Sequence, residues 1–408
     1  MEHPDAEGRI KVAPLRGVRV VDLSRFVASP YCASILADLG AEVIRVEPAL
    51  GGEDRGLVPV GGGPGGALFL QVNRNKKSLA LDIRKPQARA LLDRLIATCD
   101  VVVTNMPVQT LVRQKLDYTE LCKIKPDIIA ANTTAFGTLG AISIRGGFDG
   151  LGQAMSGAAY LAGSEEAPRR AGCSYVDYGT GLALAVGVLA ALMHRNATGE
   201  GQELHASLMT TALTFTNGWH IEAAVAGIDR APFGNLSPNS APSDIYQAAD
   251  GHVVVQAIGS RMFASWAHLI GRPDLLQDQR FTSDSERGRH GAFLSSVMQE
   301  WIANQTVADV VHSLTENGIP CGPVYSPKQL LEDELVLGSG VITPVDVPGV
   351  SNSVPLIRPI VEFAGCDVSI RDAAPSVGAQ TRVILADLGL SEEDIEALID
   401  ANIAAVSA

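Results

Sequence analysis

Asp177 stands in the most chemically suggestive stretch of the chain, Gly172–Gly181, which reads Gly-Cys-Ser-Tyr-Val-Asp-Tyr-Gly-Thr-Gly. The apolar run Gly181–Met193 follows directly. Read from spacing, Asp177 ends an extended run and precedes a Gly-x-Gly turn into a helix. A carboxylate placed there has two uses. It caps the helix, where the first N–H groups lack partners and the dipole end is positive. Or it is a nucleophile, with the Gly179 and Gly181 backbone approaching a substrate closely. Spacing alone leaves both open.

A second set of candidates is basic. Arg74, Lys76 and Lys77 lead into one strand, Arg45 lies on another, and Arg113 follows a third. In an acidic chain, such cations either receive a phosphate-rich ligand or are ordinary solvated charge. Asn105-Met106-Pro107 follows a strand whose C-terminal end is where open α/β sheets bind ligands; a plain turn is the alternative.

Other chemistries find little support. Neither H-E-x-x-H nor G-x-S-x-G occurs, and the eight histidines have no metal-ligand spacing, so no metal is expected. The six cysteines form no C-x-x-C pair, which argues against a disulfide framework or cysteine zinc site and for a reducing cytoplasm. Net charge is −13, from 32 basic and 45 acidic residues. That speaks against nucleic-acid or anionic-membrane partners but leaves room for a local basic site. Met1–Val12 is polar and unlike a signal peptide. Gly181–Met193 falls short of the roughly 18–20 residues that span a bilayer and reads as a buried helix.

The positioning elements follow from hydrophobic pattern. Val18–Leu23 is strand-like, Pro30–Leu39 helical with Gly40 as its stop, and Glu42–Glu47 strand-like again. Strand, helix, strand in about 30 residues signals a parallel sheet. The pattern recurs through Ser78–Asp82, Lys85–Cys99, Asp100–Thr104, Tyr118–Ile124 and Asp127–Ala131. The first 135 or so residues therefore read as a doubly wound α/β unit. The Gly-rich stretch Gly51–Gly66 interrupts it as a mobile loop or a lid. Helices are expected at Thr180–Asn196 and Ser207–Val225, joined by the turn Thr198–Gln202. A loop over Arg230–Asp244 leads to a hairpin around Asp250-Gly251, the strongest such signal in the chain. Helices follow at Met262–Ile270, His290–Ala303 and Val307–Glu316, strands at Val341–Val347 and Val361–Phe363, and a helical region at Ala379–Ile399 with Ser391 as an N-cap. The expected division is 1–224 plus 331–408 as a large domain, with 225–330 inserted.

Five stretches, in this order, resemble the family III CoA-transferases, whose superfamily includes formyl-CoA and carnitine CoA-transferases and the 2-methylacyl-CoA racemases. They are Leu15–Leu23, Leu39–Glu47, Asn73–Asp82 (an N-x-N-K-x-S-x-x-L-D pattern), Thr198–Gln202 and Gly318–Val324. The likeness spans about residues 14–390. It implies a Rossmann-like large domain built from both chain ends, a smaller inserted α+β domain, and an interlocked homodimer. It implies coenzyme A as acyl-CoA substrate and a carboxylate acceptor as the partners. Asp177 falls at the family's nucleophilic aspartate, with Gly179 and Gly181 beside it as oxyanion donors. Arg45, Lys76 and Arg113 match the region for the ADP phosphates. Asn105 and Met106 match pantetheine or adenine contacts, and Phe26, Val27 and Ala28 the loop along the thioester. Two positions depart from the pattern. Met106 stands where relatives often carry an aromatic. Val27 stands where formyl-CoA transferases carry Gln, which argues against formate or oxalate.

Rival functions are a racemase-like isomerase, a CoA-binding protein without transfer activity, and a slow acyl-CoA hydrolase. The racemase histidine would fall at Phe148, which cannot exchange a proton. Asp149 beside it either orients groups in the pocket or is a loop carboxylate. Arg145, Arg169 and Arg170 either fix the second carboxylate of a dicarboxylic acid or are surface charge.

Overall fold

The computed structural model describes residues 11–407, so most of the Met1–Val12 reading lies outside the described residues. The chain forms two compact units. One comprises the residues up to Ser156, 171–217, and those from Ser339 onward; the other comprises 157–170 and 218–338. The second unit thus begins with a short segment that no composition break marks.

The first unit is a mostly parallel sheet. Its strands are β1 (Arg19–Asp22), β2 (Glu42–Glu47), β3 (Lys76–Leu81), β4 (Val101–Thr104), β5 (Ile129–Thr134) and β6 (Gln202–Ser207), in spatial order 3-2-1-4-5-6. The central strands are nearly continuous apolar runs because helices cover both faces. Alternate side chains feed two cores, with Val21, Ile44 and Val102 on one side and Val20, Val43 and Val101 on the other. This order reverses direction between β1 and β4, where doubly wound sheets open a ligand crevice beyond their C-terminal ends.

β6 corrects the expectation of a turn running into helix. Gln202–Ser207 pairs in parallel with β5, from Ile129↔Gln202 to Thr134↔Ser207. Four of the six residues in its Gln-Glu-Leu-His-Ala-Ser sequence are polar because it is an edge strand with alternating exposure.

The second unit holds a three-stranded antiparallel sheet, β7 (Ser243–Gln247), β8 (His252–Gln256) and β9 (Cys321–Pro323), with the expected hairpin between β7 and β8. Helices Gly259–Leu269, Gly291–Ile302 and Val307–Glu316 pack on it around buried Trp266, Tyr246 and Met298.

The chain then returns to the first unit. β10 (Ile342–Val345) pairs antiparallel with β11 (Val354–Ile357), whereas Val361–Phe363 forms no strand. Pro355 obscured β11, since proline is admitted only where a ladder N–H is not needed. Ser391 caps the helix Glu392–Asp400 with its side chain, as expected, and β12 (Ala404–Ala405) closes antiparallel on β3.

Candidate active site

The helix Tyr175–Thr198 decides what Asp177 does. It begins two residues before Asp177, so no Gly-x-Gly turn intervenes, and it ends at Gly199 in the left-handed conformation. By length and composition it could cross a bilayer; in the fold its buried face packs on the helix Ala28–Asp38 and on β5 and β6. Gly179 and Gly181 lie inside this helix, where N–H groups bond carbonyls one turn back. Their backbone therefore offers no oxyanion donors, and close packing explains them. A Cβ on Gly181 would stand 2.4 Å from the Ala28 carbonyl oxygen, and one on Gly179 would stand 2.6 Å from the Phe215 ring.

The cap comes from elsewhere. Ser174, at the N-cap, makes no side-chain cap bond. Instead Asp149, in the first turn of the helix Asp149–Met155, accepts the Val176 N–H at 2.8 Å and the Asp177 N–H at 3.2 Å through Oδ1. Gln153 donates to the other oxygen of Asp149 and to the Cys173 carbonyl, and accepts the Ala171 N–H. Both Asp149 and Gln153 are buried. Two orphan donors of the helix, the Val176 and Asp177 N–H groups, are thus satisfied without the Asp177 side chain. Among the described residues, nothing donates a hydrogen bond or pairs a cation to the Asp177 carboxyl. Burial, and then the charge of Asp149, push it up to about 7.

Asp177 opens onto a cavity of about 600 Å³. The cavity lies beyond the C-terminal ends of β1, β4, β5 and β6, at the switch point the strand order creates. Phe26, Val27, Ala28, Asn105 and Met106 all line it. The β1 exit loop is held in an unusual shape. Phe26 has φ 69°, its N–H donates to Asp54 Oδ2 at 3.2 Å, and its ring meets Phe148 edge-on at 5.5 Å. Asn105 bridges this loop to the β4 exit, accepting the Arg25 N–H and donating to the Arg25 carbonyl at 2.6 Å. Asn132, bonded to Thr104, donates to the Met106 carbonyl.

Three basic candidates sit elsewhere. Arg45 is 1% exposed and forks onto Asp54 at 2.8 and 3.0 Å. Lys76 is buried and donates to Asp22, to the Pro30 carbonyl and to Asn73. Neither lines the cavity, and neither is solvated charge. They support the loop that does, Arg45 through Asp54 and Lys76 through Asp22, whose Oδ1 also takes the Ser24 N–H. Arg113 is exposed at the end of the helix Val108–Arg113, next to Gln114, which lines the cavity. The remaining N-x-N-K residues are also internal, with Arg74 and Asn75 holding Asp38.

The expected mobile loop or lid is pinned. Arg55 bonds Glu47 and the carbonyls of Pro64 and Pro375, with its guanidinium 4.1 Å from the Phe69 ring centre. Sequence reasoning missed Arg25, a cavity residue paired with Glu53 at 3.4 Å. Its only signal was adjacency to Phe26. Arg145, although exposed, lines the cavity, whereas Arg169 and Arg170 are exposed in the second unit. Among the described residues no cluster of His, Cys, Asp or Glu has the makings of a metal site.

A doubly wound sheet with an unpaired carboxylate at its switch-point crevice has that carboxylate where open α/β sheets bind ligands. Comparison with known proteins makes the class specific. Residues 15–381 match CoA-transferase family III, and the chain belongs to that family of enzymes. It is 33% identical to a succinyl-CoA–D-citramalate CoA-transferase of Chloroflexus aurantiacus, over 94% of this chain and 96% of the relative. It is 31% identical to the succinyl-CoA:glutarate CoA-transferase of Mus musculus, over 95% and 89%. The fold is similar to the crystal structure of a CAIB/BAIF family protein from Brucella suis, with a TM-score of 0.82 at 29% identity, covering 93% of this chain and 100% of that one.

Proposed function

We propose that the protein moves CoA from a donor acyl-CoA to a carboxylic acid through covalent intermediates on Asp177. The observation that carries this is the unpaired, half-buried Asp177 carboxyl facing the switch-point cavity. An Asp177 oxygen attacks the thioester carbonyl, the C–S bond breaks, and CoA thiolate leaves behind a mixed anhydride. The thiolate then attacks the aspartyl carbonyl and expels the donor acid, giving an aspartyl-CoA thioester. The acceptor carboxylate attacks that carbonyl and expels the thiolate, forming a second anhydride. Attack of the thiolate on the acceptor's carbonyl releases the new acyl-CoA and restores Asp177. Each step exchanges one activated acyl bond for another, so no further energy source is needed. The apolar wall of Leu23, Val27, Ala28 and Leu208 favours anhydride over hydrolysis by thinning water around it.

CoA enters as a substrate, with its thioester along Phe26–Ala28 and its pantetheine near Asn105 and Met106. Arg113 is available for its phosphates. Relatives named for succinyl-CoA with citramalate or glutarate support dicarboxylic donors and acceptors. Family membership also supports an interlocked homodimer, and the six scattered cysteines favour a reducing cytoplasm. Phe148 at the cavity, with no proton to exchange, speaks against the racemase reading.

The test is incubation with a panel of acyl-CoAs, trapping by hydroxylamine and peptide mass spectrometry. A hydroxamate at Asp177 is expected with the true donor. Asp177→Ala should lose both the adduct and about four orders of magnitude of transfer rate. Binding of CoA without an adduct from any donor would sink the covalent reading.

A further inference from the structure

We infer that Arg145 selects dicarboxylic substrates by pairing with the carboxylate that takes no part in transfer. This rests on the proposed transfer at Asp177 and adds the residue that reads the substrate. The cavity has four charged lining residues, Arg25, Glu53, Arg145 and Asp177. Arg25 already faces Glu53. Arg145 is the cation left without a carboxylate partner among the described residues.

Arg145 is an exposed side chain on a loop that is seated against the fold. The Arg145 guanidinium lies 5.5 Å from the centre of the Phe136 ring, and cation–π attraction steadies it without neutralising it. Gly147, two residues on, brings the loop so close that an added Cβ would stand 2.9 Å from Ala135 Cβ and 3.4 Å from the Phe136 ring. The loop is therefore seated on the β5 exit, and the Thr134 hydroxyl takes the Gly137 N–H at 2.8 Å to fix its start.

Place in the cavity separates the two arginines. Arg25 belongs to the rim where the β1 and β4 exits are bridged by Asn105, the side proposed for CoA. Arg145 belongs to the segment after β5, with Ser143 and Phe148, and that segment meets the first rim through the contact of Phe148 with Phe26. A thioester held at Asp177 with CoA along the Arg25 segment leaves the Arg145 segment for its acyl chain. A free carboxylate on that chain would add a negative charge beside Asp177 and Asp149 and oppose the ionised Asp177 that must attack. An unpaired guanidinium offsets that charge and accepts a carboxylate in a two-point hydrogen bond. A monocarboxylic acyl group has nothing to offer it.

The experiment compares succinyl-CoA with glutarate against butyryl-CoA with acetate, in the wild-type enzyme, Arg145→Ala and Arg145→Lys. Inhibition by free CoA is measured alongside. Arg145→Ala should lose about 10- to 100-fold in kcat/KM for the dicarboxylic pair, change the monocarboxylic pair little, and leave inhibition by free CoA as it was. Arg145→Lys should recover part of the loss. Equal losses on both pairs with weakened inhibition would assign Arg145 to CoA and overturn the inference. Unchanged dicarboxylic kinetics, or a wild type that prefers the monocarboxylic pair, would overturn it too. A wild type that transfers CoA from no donor would remove the proposed function itself, an outcome visible before any variant is made.

Discussion

Two sets of buried acids lie in the same α/β unit and are treated in opposite ways. Beside β1–β3 each acid has a cation of its own. Asp22 meets Lys76 at 2.8 Å with both side chains 0% exposed, Asp38 meets Arg74 at 2.6 Å, and Glu47 meets Arg55. At the start of the helix Tyr175–Thr198, Asp149 and Asp177 share one helix end and have only N–H groups and an amide for company. Burial works on both sets, and for Asp38 it still raises the carboxyl although Arg74 and Asn75 pull the other way. For Glu47 the hydrogen bond from Arg55 and the charges of Arg45 and Arg55 overcome it and hold the carboxyl below its usual range. For Asp177 nothing opposes it, and the carboxyl rises to about 7. Buried charge that is answered in place makes a frame. Buried charge left unanswered is poised to react, because attack on a carbonyl disperses a negative charge that burial leaves poorly solvated.

The largest expected effect breaks the frame. Lys76→Met should strand Asp22 without its partner and destabilise the protein by about 3–5 kcal/mol, read by denaturant titration. The double variant Asp22→Leu with Lys76→Met should recover much of that loss, because it removes both charges together. If Lys76→Met alone cost almost nothing, Lys76 would not be answering a buried charge, and the contrast with Asp177 would collapse.

A smaller effect concerns the poised side. Asp177 is near 3.9 unfolded and about 7 folded, so the native state binds the extra proton between those values. Its contribution to stability therefore falls as pH rises from about 4 to about 7, and the full cost stands above that. Asp177→Asn should gain about 1–3 kcal/mol over the wild type above pH 7 and nothing below pH 4; the range is discounted for the group's partial exposure. Glu47 runs the other way, contributing stability above its unfolded pKa that is lost in acid. Thermal unfolding of Asp177→Asn at pH 4 and pH 8 separates these, and an equal shift at both pH values would mean that Asp177 is not strained by burial.

The frame was legible in the sequence and its purpose was not. Val20-Val21 and Val101-Val102-Val103 announce central strands, and the spacing of Leu91, Leu92, Leu95 and Ile96 announces a helix, because local pattern decides both. β6 escaped because an edge strand carries polar residues in alternation. Asp177 drew attention through its neighbours, yet the choice between cap and nucleophile turns on Asp149, 28 positions away, which no local pattern connects to it. Arg45 and Lys76 failed in the same way. Their partners Asp54 and Asp22 are brought in by the fold, so a basic residue at a strand end looks the same whether it awaits a phosphate or is already paired. Arg145 differs from them in being exposed at the cavity and in having no such partner, and both become visible only in three dimensions.

The finest test of the comparison changes one charge and leaves the hydrogen bonds in place. In Asp149→Asn the amide oxygen still accepts the Val176 and Asp177 N–H groups, so the helix end keeps its cap. Only the second cause of the Asp177 shift, the neighbouring charge, is removed, while burial remains. Attack requires the Asp177 carboxylate, so kcat/KM should rise with pH through an inflection near 7 in the wild type. In the variant that inflection should move down by about one unit or less, toward an ordinary carboxyl, with the plateau rate at high pH nearly preserved. A purely structural role for Asp149 would lower the plateau and leave the inflection where it was. A downward shift with the plateau intact would instead mean that the second acid is kept to hold the first one partly protonated, at the end of a helix whose own dipole would otherwise ionise it.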